Sequence, residues 1–389
     1  MTKIDPEWIE YTLNDGTSRA QITGALYGTI EAGALWNEDA KAVLESLMLT
    51  QSMHDPCVFL SEKMRIVLYV DDLFISYDDE EELEKIQDVI INQFGGEIKH
   101  PIDGCLEFLG MKFQIKDKGV SITMPAKIDD VTEGIDKTSQ TPAGPNLFTI
   151  NENSPLLTDP DKSQFHTLTA KLLYISKRVR PDILLAVNFL TTRVQNPTDE
   201  DQSKLTRVLK YLKGIRDFGL TLRIGDNVIV NAYIDASFGV HEVDGKSHTG
   251  ACIGIGNALG IWTKSTKQKI VTKSSTEAEL VAVSDTVGDV IELKGFLAEL
   301  GYEDPGAIIY QDNQSTIHLM TAGGPPPSSK SKHVRIRAFW MREITQDNNI
   351  VFEYKPTDEM VADGFTKPKQ GLSYSEFNND ILGNDPNEE

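Results

Sequence analysis

Cysteine is scarce in these 389 residues: Cys57, Cys105 and Cys252 are odd in number, widely spaced and free of any C-x-x-C pair. That excludes a disulfide scaffold and a thiolate zinc site, and it implies reduced thiols. Long hydrophobic runs are missing too. No stretch approaches the roughly 20 apolar residues of a membrane span. The first residues, Met1-Thr2-Lys3-Ile4-Asp5-Pro6-Glu7, hold no apolar signal-peptide core. A soluble intracellular protein, cytoplasmic or nuclear and without membrane contact, is expected. Positive charge is the third shortage, with 38 Lys+Arg against 59 Asp+Glu and a net charge of −21. Phosphate contacts need clustered Lys and Arg, so the total disfavours a strong nucleic-acid binder. The imbalance sits mostly in residues 1–150, whereas residues 151–227 are net basic. Lys171, Lys177, Arg178, Arg180, Arg193, Lys204, Arg207, Lys210, Lys213 and Arg216 fall there on helical patterns. Such a face suits a polynucleotide, although a solvated surface is the commoner origin.

The length allows two or three domains with sizeable cores. Hydrophobic content of 40% and charged content of 25% are ordinary for a globular protein. Within Ile66-Val67-Leu68-Tyr69-Val70-Asp71-Asp72-Leu73-Phe74-Ile75, apolar residues flank two adjacent acids, which reads as a hairpin with Asp71 and Asp72 at its tip. Adjacent carboxylates repel each other, and a divalent cation would hold them; a solvated Asp-Asp turn is the bland alternative. Before the hairpin, residues 38–49 have helical spacing. A helix is expected from Asp79 to Phe94, opened by Asp79 and stopped by Gly95-Gly96. Strands are expected at 97–99, 106–115 and 119–124, then a linker at 138–160, rich in Thr, Ser, Pro, Gly and Asn. Helices follow at 163–178, 181–194 and 199–213.

From about residue 227 the pattern becomes three strands (228–235, 250–256, 260–264) and one long helix at 275–300. A strand at 307–311, a helix at 313–322, a helix at 332–346, a strand at 350–355 and a short helix at 357–366 complete it. This describes a mixed α/β sheet. Asp235 and Asp312 stand at expected strand ends, where ligands gather in such sheets. Ser274 and Glu277 fit a capping box, leaving Glu279, about 200° round the helix, free to face the sheet. Asp363 lies among apolar residues of the last helix. Taken singly, each acid reads as a cap, turn residue or surface charge. As a set, four carboxylates could converge on two Mg²⁺ ions, with Mn²⁺ as a substitute, that activate a water and stabilise a leaving oxygen. The acidic, Asn-rich residues after 371 are expected to be disordered.

The ordered series Ala25-Leu26-Tyr27-Gly28, Asp55-Pro56-Cys57-Val58-Phe59, Tyr69-Val70-Asp71-Asp72, Phe108-Leu109-Gly110-Met111, Arg180-Pro181-Asp182-Ile183, Lys273-Ser274-Ser275-Thr276-Glu277-Ala278-Glu279, Asp312-Asn313-Gln314-Ser315, Lys332-His333-Val334 and Ala362-Asp363 resembles a copia-type retrotransposon polyprotein. The resemblance covers the later reverse transcriptase followed by ribonuclease H. It implies α/β and α+β folds: a truncated palm at 1–137, a linker and helical thumb or connection segment at 138–226, a ribonuclease H-like mixed α/β domain at 227–370, and a tail at 371–389. It further implies Asp71 and Asp72 as polymerase metal ligands and Asp235, Glu279, Asp312 and Asp363 as the ribonuclease H ligands. The implied partner is an RNA–DNA hybrid or primer–template.

The departures bear on activity. A third palm Asp, upstream of Leu26 in the family, has no counterpart, since Asp5 and Asp15 lie in no apolar strand. Glu31 stands where the family has a Gln that meets the incoming nucleotide, and an anion there would repel a triphosphate by roughly 1–4 kcal/mol. Phe339 replaces a second His, and Arg335 an Asp. The expectation is therefore a polymerase activity lost in this chain beside a complete ribonuclease H acid set. The competing readings are a non-catalytic remnant that binds nucleic acid or protein, and a truncated gene model of an active enzyme.

Overall fold

The structure, a computed structural model, describes residues 28–116, 119–225, 227–322 and 332–383. Two units divide between Ile98 and Lys99. In the first, α1 (Ile30–Ser46) and α2 (Glu80–Phe94) accompany an antiparallel sheet of β1 (Thr50–Gln51), β2 (Val58–Leu60), β3 (Met64–Tyr69) and β4 (Asp72–Tyr77). Alternation in β3 sends Met64, Ile66 and Leu68 into a core with Leu83, Ile86 and Ile90 of α2. As the sequence predicts, Asp79 caps α2, its side chain accepting from the amides of Glu81 and Glu82, and Gly95 (φ +73°) ends it. Residues 97–99 form no strand.

The second unit begins with β5 (Cys105–Phe108), β6 (Met111–Lys116) and β7 (Gly119–Thr123). The single strand expected at 106–115 is a hairpin, because Leu109 (φ +52°) and Gly110 (φ +74°) turn the chain inside a continuous apolar pattern. β7 pairs with β8 (Leu220–Leu222), a hundred residues later. That pairing draws residues 99–137 into the second unit. The expected linker at 138–160 is packed: Thr141, Ala143 and Leu147 are buried, and Arg207 donates to the Thr141 carbonyl (3.1 Å) and hydroxyl (2.7 Å).

Helices α3 (Pro125–Val131), α4 (Asp159–Arg178), α5 (Leu184–Thr191) and α6 (Asp199–Gly214) share one apolar core with Phe165, Leu172, Leu190 and Leu209 inside it. Arg180 is fully buried beside them, its Nε and Nη2 donating to the Asp182 carboxylate at 2.9 and 2.6 Å; Tyr211 donates to the same carboxylate at 2.7 Å. Part of the expected basic face is paired with the chain's own acids, two of the pairs at the surface. Lys171 pairs with Asp130, Arg193 with Asp201, Lys204 with Glu200, and Arg216 with Asp129.

The last portion is a five-stranded sheet in the order β11-β10-β9-β12-β13. β9 (Val230–His241), β10 (Lys246–Ile255) and β11 (Ala258–Lys267) are antiparallel; β12 (Ala307–Gln311) lies parallel to both β9 and β13 (Ile350–Tyr354). Helices α7 (Ser275–Ser284), α8 (Val287–Glu299), α9 (Gln314–Thr321) and α10 (Lys332–Asp347) accompany it. One helix was expected over 275–300, but Asp285-Thr286 separates two, with the Asp285 carboxylate accepting from Arg337 at 2.7 Å. Alternation along β9 places Val230, Ala232, Ile234 and Ala236 in the core with Ala278 and Ala282 of α7.

The expected disordered tail is corrected by α11 (Gly371–Leu382), which buries Tyr374, Phe377, Ile381 and Leu382. Their i, i+3, i+7, i+8 spacing gives an apolar stripe that an acidic, Asn-rich composition conceals. Residues 384–389 lie outside the described residues.

Candidate metal centre

Three elements carry the late acids to one place. Asp235 sits in the middle of β9 rather than at its end, because the strand continues to His241. Glu279 lies one turn into α7, whose first residue follows the Ser274 cap. Glu277 folds back as expected, accepting from the Lys273 amide at 2.9 Å, while Glu279 faces the sheet and accepts from the Ala236 amide. Asp312 follows the last residue of β12. Carboxylate oxygens of Asp235, Glu279 and Asp312 all lie within 4.8 Å of one another, with Asp235 and Glu279 buried and Asp312 half-buried. They open on a cleft of about 490 Å³ that Asn313, Tyr354 and Lys367 also line.

Asp363 belongs to a 3-10 turn, Val361–Phe365, rather than to an α-helix. It is not among the carboxylates that lie within 4.8 Å of one another; it bonds Lys367 Nζ at 2.6 Å, and that ammonium is 3.7 Å from Asp235. The turn reaches the site because Gly250, the cross-strand partner of Asp235, has no side chain. A Cβ on Gly250 would come within 2.6 Å of Thr366 Cγ2 and 2.8 Å of the Ala362 carbonyl. Glycine inside a strand marks such an approach.

Burial raises Asp235 to about 6, against the opposing pull of Lys367 and helped by Asp363 and Asp312. Burial also raises Glu279 well above the carboxylate range, with Asp235 and Asp312 adding to it. Acids clustered in this way would be relieved of their mutual repulsion by an added cation. An all-oxygen donor set of this kind fits a hard divalent ion such as Mg²⁺.

Each acid has a polar neighbour that sequence reasoning missed. The Thr366 hydroxyl donates to Asp235. Gln311 Nε2 donates to Glu279 at 3.3 Å, and the Gln311 Oε1 accepts from the amides of Asp312 and Asn313 at 3.0 and 3.3 Å. The Thr357 hydroxyl donates to Asp312 at 2.8 Å. Only adjacency hinted at them: Gln311 precedes Asp312, and Thr366-Lys367 closely follows Asp363.

The other acid pair is placed differently. β3 and β4 form the expected hairpin, with Tyr69 opposite Asp72, but both Asp71 and Asp72 are exposed. Val70 takes φ +54°, a strained value for a β-branched residue, and its carbonyl accepts from the Trp36 indole. Among the described residues, only Asp235, Glu279 and Asp312 form a group of three or more candidate metal ligands. Asp5, Asp15 and Ala25-Leu26-Tyr27 lie outside the described residues, whereas Glu31 is exposed in the first turn of α1.

A family described as reverse transcriptase (RNA-dependent DNA polymerase) matches residues 12–146. A retrovirus-related Pol polyprotein from transposon RE2 of Arabidopsis thaliana is 28% identical over 372 residues, which is 93% of this chain and 25% of that protein. The chain thus spans about a quarter of the length of that relative. A foamy viral protease-reverse transcriptase, solved in complex with an RNA/DNA hybrid, superposes with a TM-score of 0.51 at 15% identity. That match covers 85% of this chain and 39% of the other. A ribonuclease H1 isolated from compost matches 35% of this chain and 91% of its own at a TM-score of 0.29 and 18% identity. The fold class expected from the sequence, α/β and α+β, stands.

Proposed function

From a chain related to the reverse-transcriptase region of copia-type retrotransposon polyproteins, we propose that its late α/β module hydrolyses the RNA strand of RNA–DNA hybrids with a divalent cation. The observation that carries this reading is the meeting of Asp235, Glu279 and Asp312, from β9, α7 and the end of β12, at the floor of one cleft. Far apart in sequence, these acids are mutually destabilising where they stand. At neutral pH a bound cation would offset that cost.

The three carboxylates would hold Mg²⁺, which when bound supplies a more acidic water and positive charge for the departing oxygen. Thr366, Gln311 and Thr357 orient the acids by donating to Asp235, Glu279 and Asp312 in turn. Half-buried Asp312 forms the open side of the group, where a phosphodiester reaches it.

Purified protein incubated with Mg²⁺ and a hybrid labelled on its RNA strand is expected to shorten the RNA. Asp312→Asn is expected to lose at least about 100-fold of that activity while keeping its melting temperature. Absence of cleavage, or cleavage undiminished in the variant, refutes the hydrolase. For the other acid pair, the reading is loss of polymerase function, supported by Glu31, an exposed anion in the first turn of α1.

A further inference from the structure

The fourth acid of the cluster does not join the other three; it holds an amine. Lys367 Nζ lies 2.6 Å from Asp363 Oδ1 and 3.7 Å from Asp235 Oδ2, bridging two of the carboxylates expected to bind metal. The backbone sets this geometry. The amides of Thr366 and Lys367 donate to the Asp363 carbonyl at 3.1 and 2.8 Å, which closes a turn and returns the lysine over its own i−4 partner. Pro368 follows at once, and Phe377 of α11 packs so tightly on Gly364 that a Cβ there would meet its ring at 2.3 Å. The turn is thus clamped on one side by β10 and on the other by α11.

We propose that the Lys367 ammonium is a built-in cation occupying one of the two cation positions of the cluster, so that the site takes a single divalent ion. The argument rests on the hydrolase reading above and refines it. Asp235, Glu279 and Asp312 form the ion's cage, and Asp363 is a positioning residue for the lysine. Charge supports this division. Four carboxylates and one ammonium leave three net negative charges, which one divalent ion reduces to one. A second divalent ion would have to settle against Asp363, where the ammonium already makes a 2.6 Å contact, and would meet its repulsion at short range.

Counting ions tests the proposal without reference to turnover. Mn²⁺ binding is followed at neutral pH by isothermal titration and by electron paramagnetic resonance of the free ion. A variant lacking the cage, Asp235→Asn with Glu279→Gln, serves as the reference for weak surface binding. The wild type is expected to hold one ion above that reference, and Lys367→Met two. Asp363→Asn is expected to leave the affinity for the first ion within about threefold, and Asp312→Asn to weaken it at least tenfold. Two ions in the wild type, or one in Lys367→Met, overturns the built-in cation and leaves the hydrolase standing if hybrids are still cut. No ion in either protein overturns both. Circular dichroism melts of each variant separate misfolding from altered binding.

Discussion

At the scale of single residues, the site is a place where stability is given up. Burial lifts Asp235 to about 6, whereas in an unfolded chain an Asp titrates near 3.9. The native state therefore holds this proton more tightly than the unfolded state. Between pH about 4 and 6 the folded, metal-free protein binds more protons, so its stability falls as pH rises, and above about 6 the full cost of roughly 2–3 kcal/mol is present. Asp235→Asn removes the ionisation and keeps an oxygen for the Thr366 hydroxyl. In chelator at pH 7.5 its urea midpoint is expected to exceed that of the wild type, and the gap is expected to close near pH 4. Parallel pH profiles for the two proteins contradict this account. Gly250 works in the opposite sense, since its missing side chain admits the turn that delivers Asp363, Thr366 and Lys367. Gly250→Ala is expected to lower stability by about 1–3 kcal/mol through overpacking and to reduce hybrid cleavage as well, both read on the same preparation.

Elements hold these residues through their packing, and here the least visible features matter most. Arg180 and Asp182, both fully buried in their side chains, join the 3-10 turn Pro181–Ile183 to α6 through Tyr211, and Arg180 also reaches the Ile215 carbonyl at 3.1 Å. Breaking such a pair leaves an unpaired buried charge. Arg180→Met is expected to cost about 3–5 kcal/mol, measured by urea denaturation, and Asp182→Asn in the same background is expected to restore part of that loss. α11 is the second such element. Its Tyr374 packs edge-on to Tyr211 and its Phe377 against Phe365, which places a helix read as tail composition against both the Arg180 network and the turn carrying Asp363.

For the whole chain, the net charge of −21 leaves Lys and Arg outnumbered, and several of them pair with the chain's own acids. The ion pairs of Arg193 and Lys204 brace the helical segment, whereas those of Lys171 and Arg216 lie at its surface. No primer extension on an RNA template is expected from the purified 389-residue protein, measured with a labelled primer, Mg²⁺ and all four nucleotides. Extension abolished by Asp71→Asn would contradict this and restore the hairpin acids to a catalytic role.

By itself the sequence determined the chemistry-bearing residue types, the Asp71-Asp72 hairpin, the caps at Asp79 and Ser274, and the direction in which Glu279 leaves its helix. All of these depend on local periodicity and on side chains bonding their own backbone within a few residues. Only the tertiary structure decided which acids meet. It joined Asp235, Glu279 and Asp312, paired Asp363 with Lys367, left Asp71 and Asp72 exposed, joined β7 to β8 across a hundred residues, and packed the last helix. These outcomes turn on contacts between residues tens to hundreds of positions apart. Their energies come from burial and close approach at Gly250, Gly364 and Arg180, which no periodicity along the chain encodes.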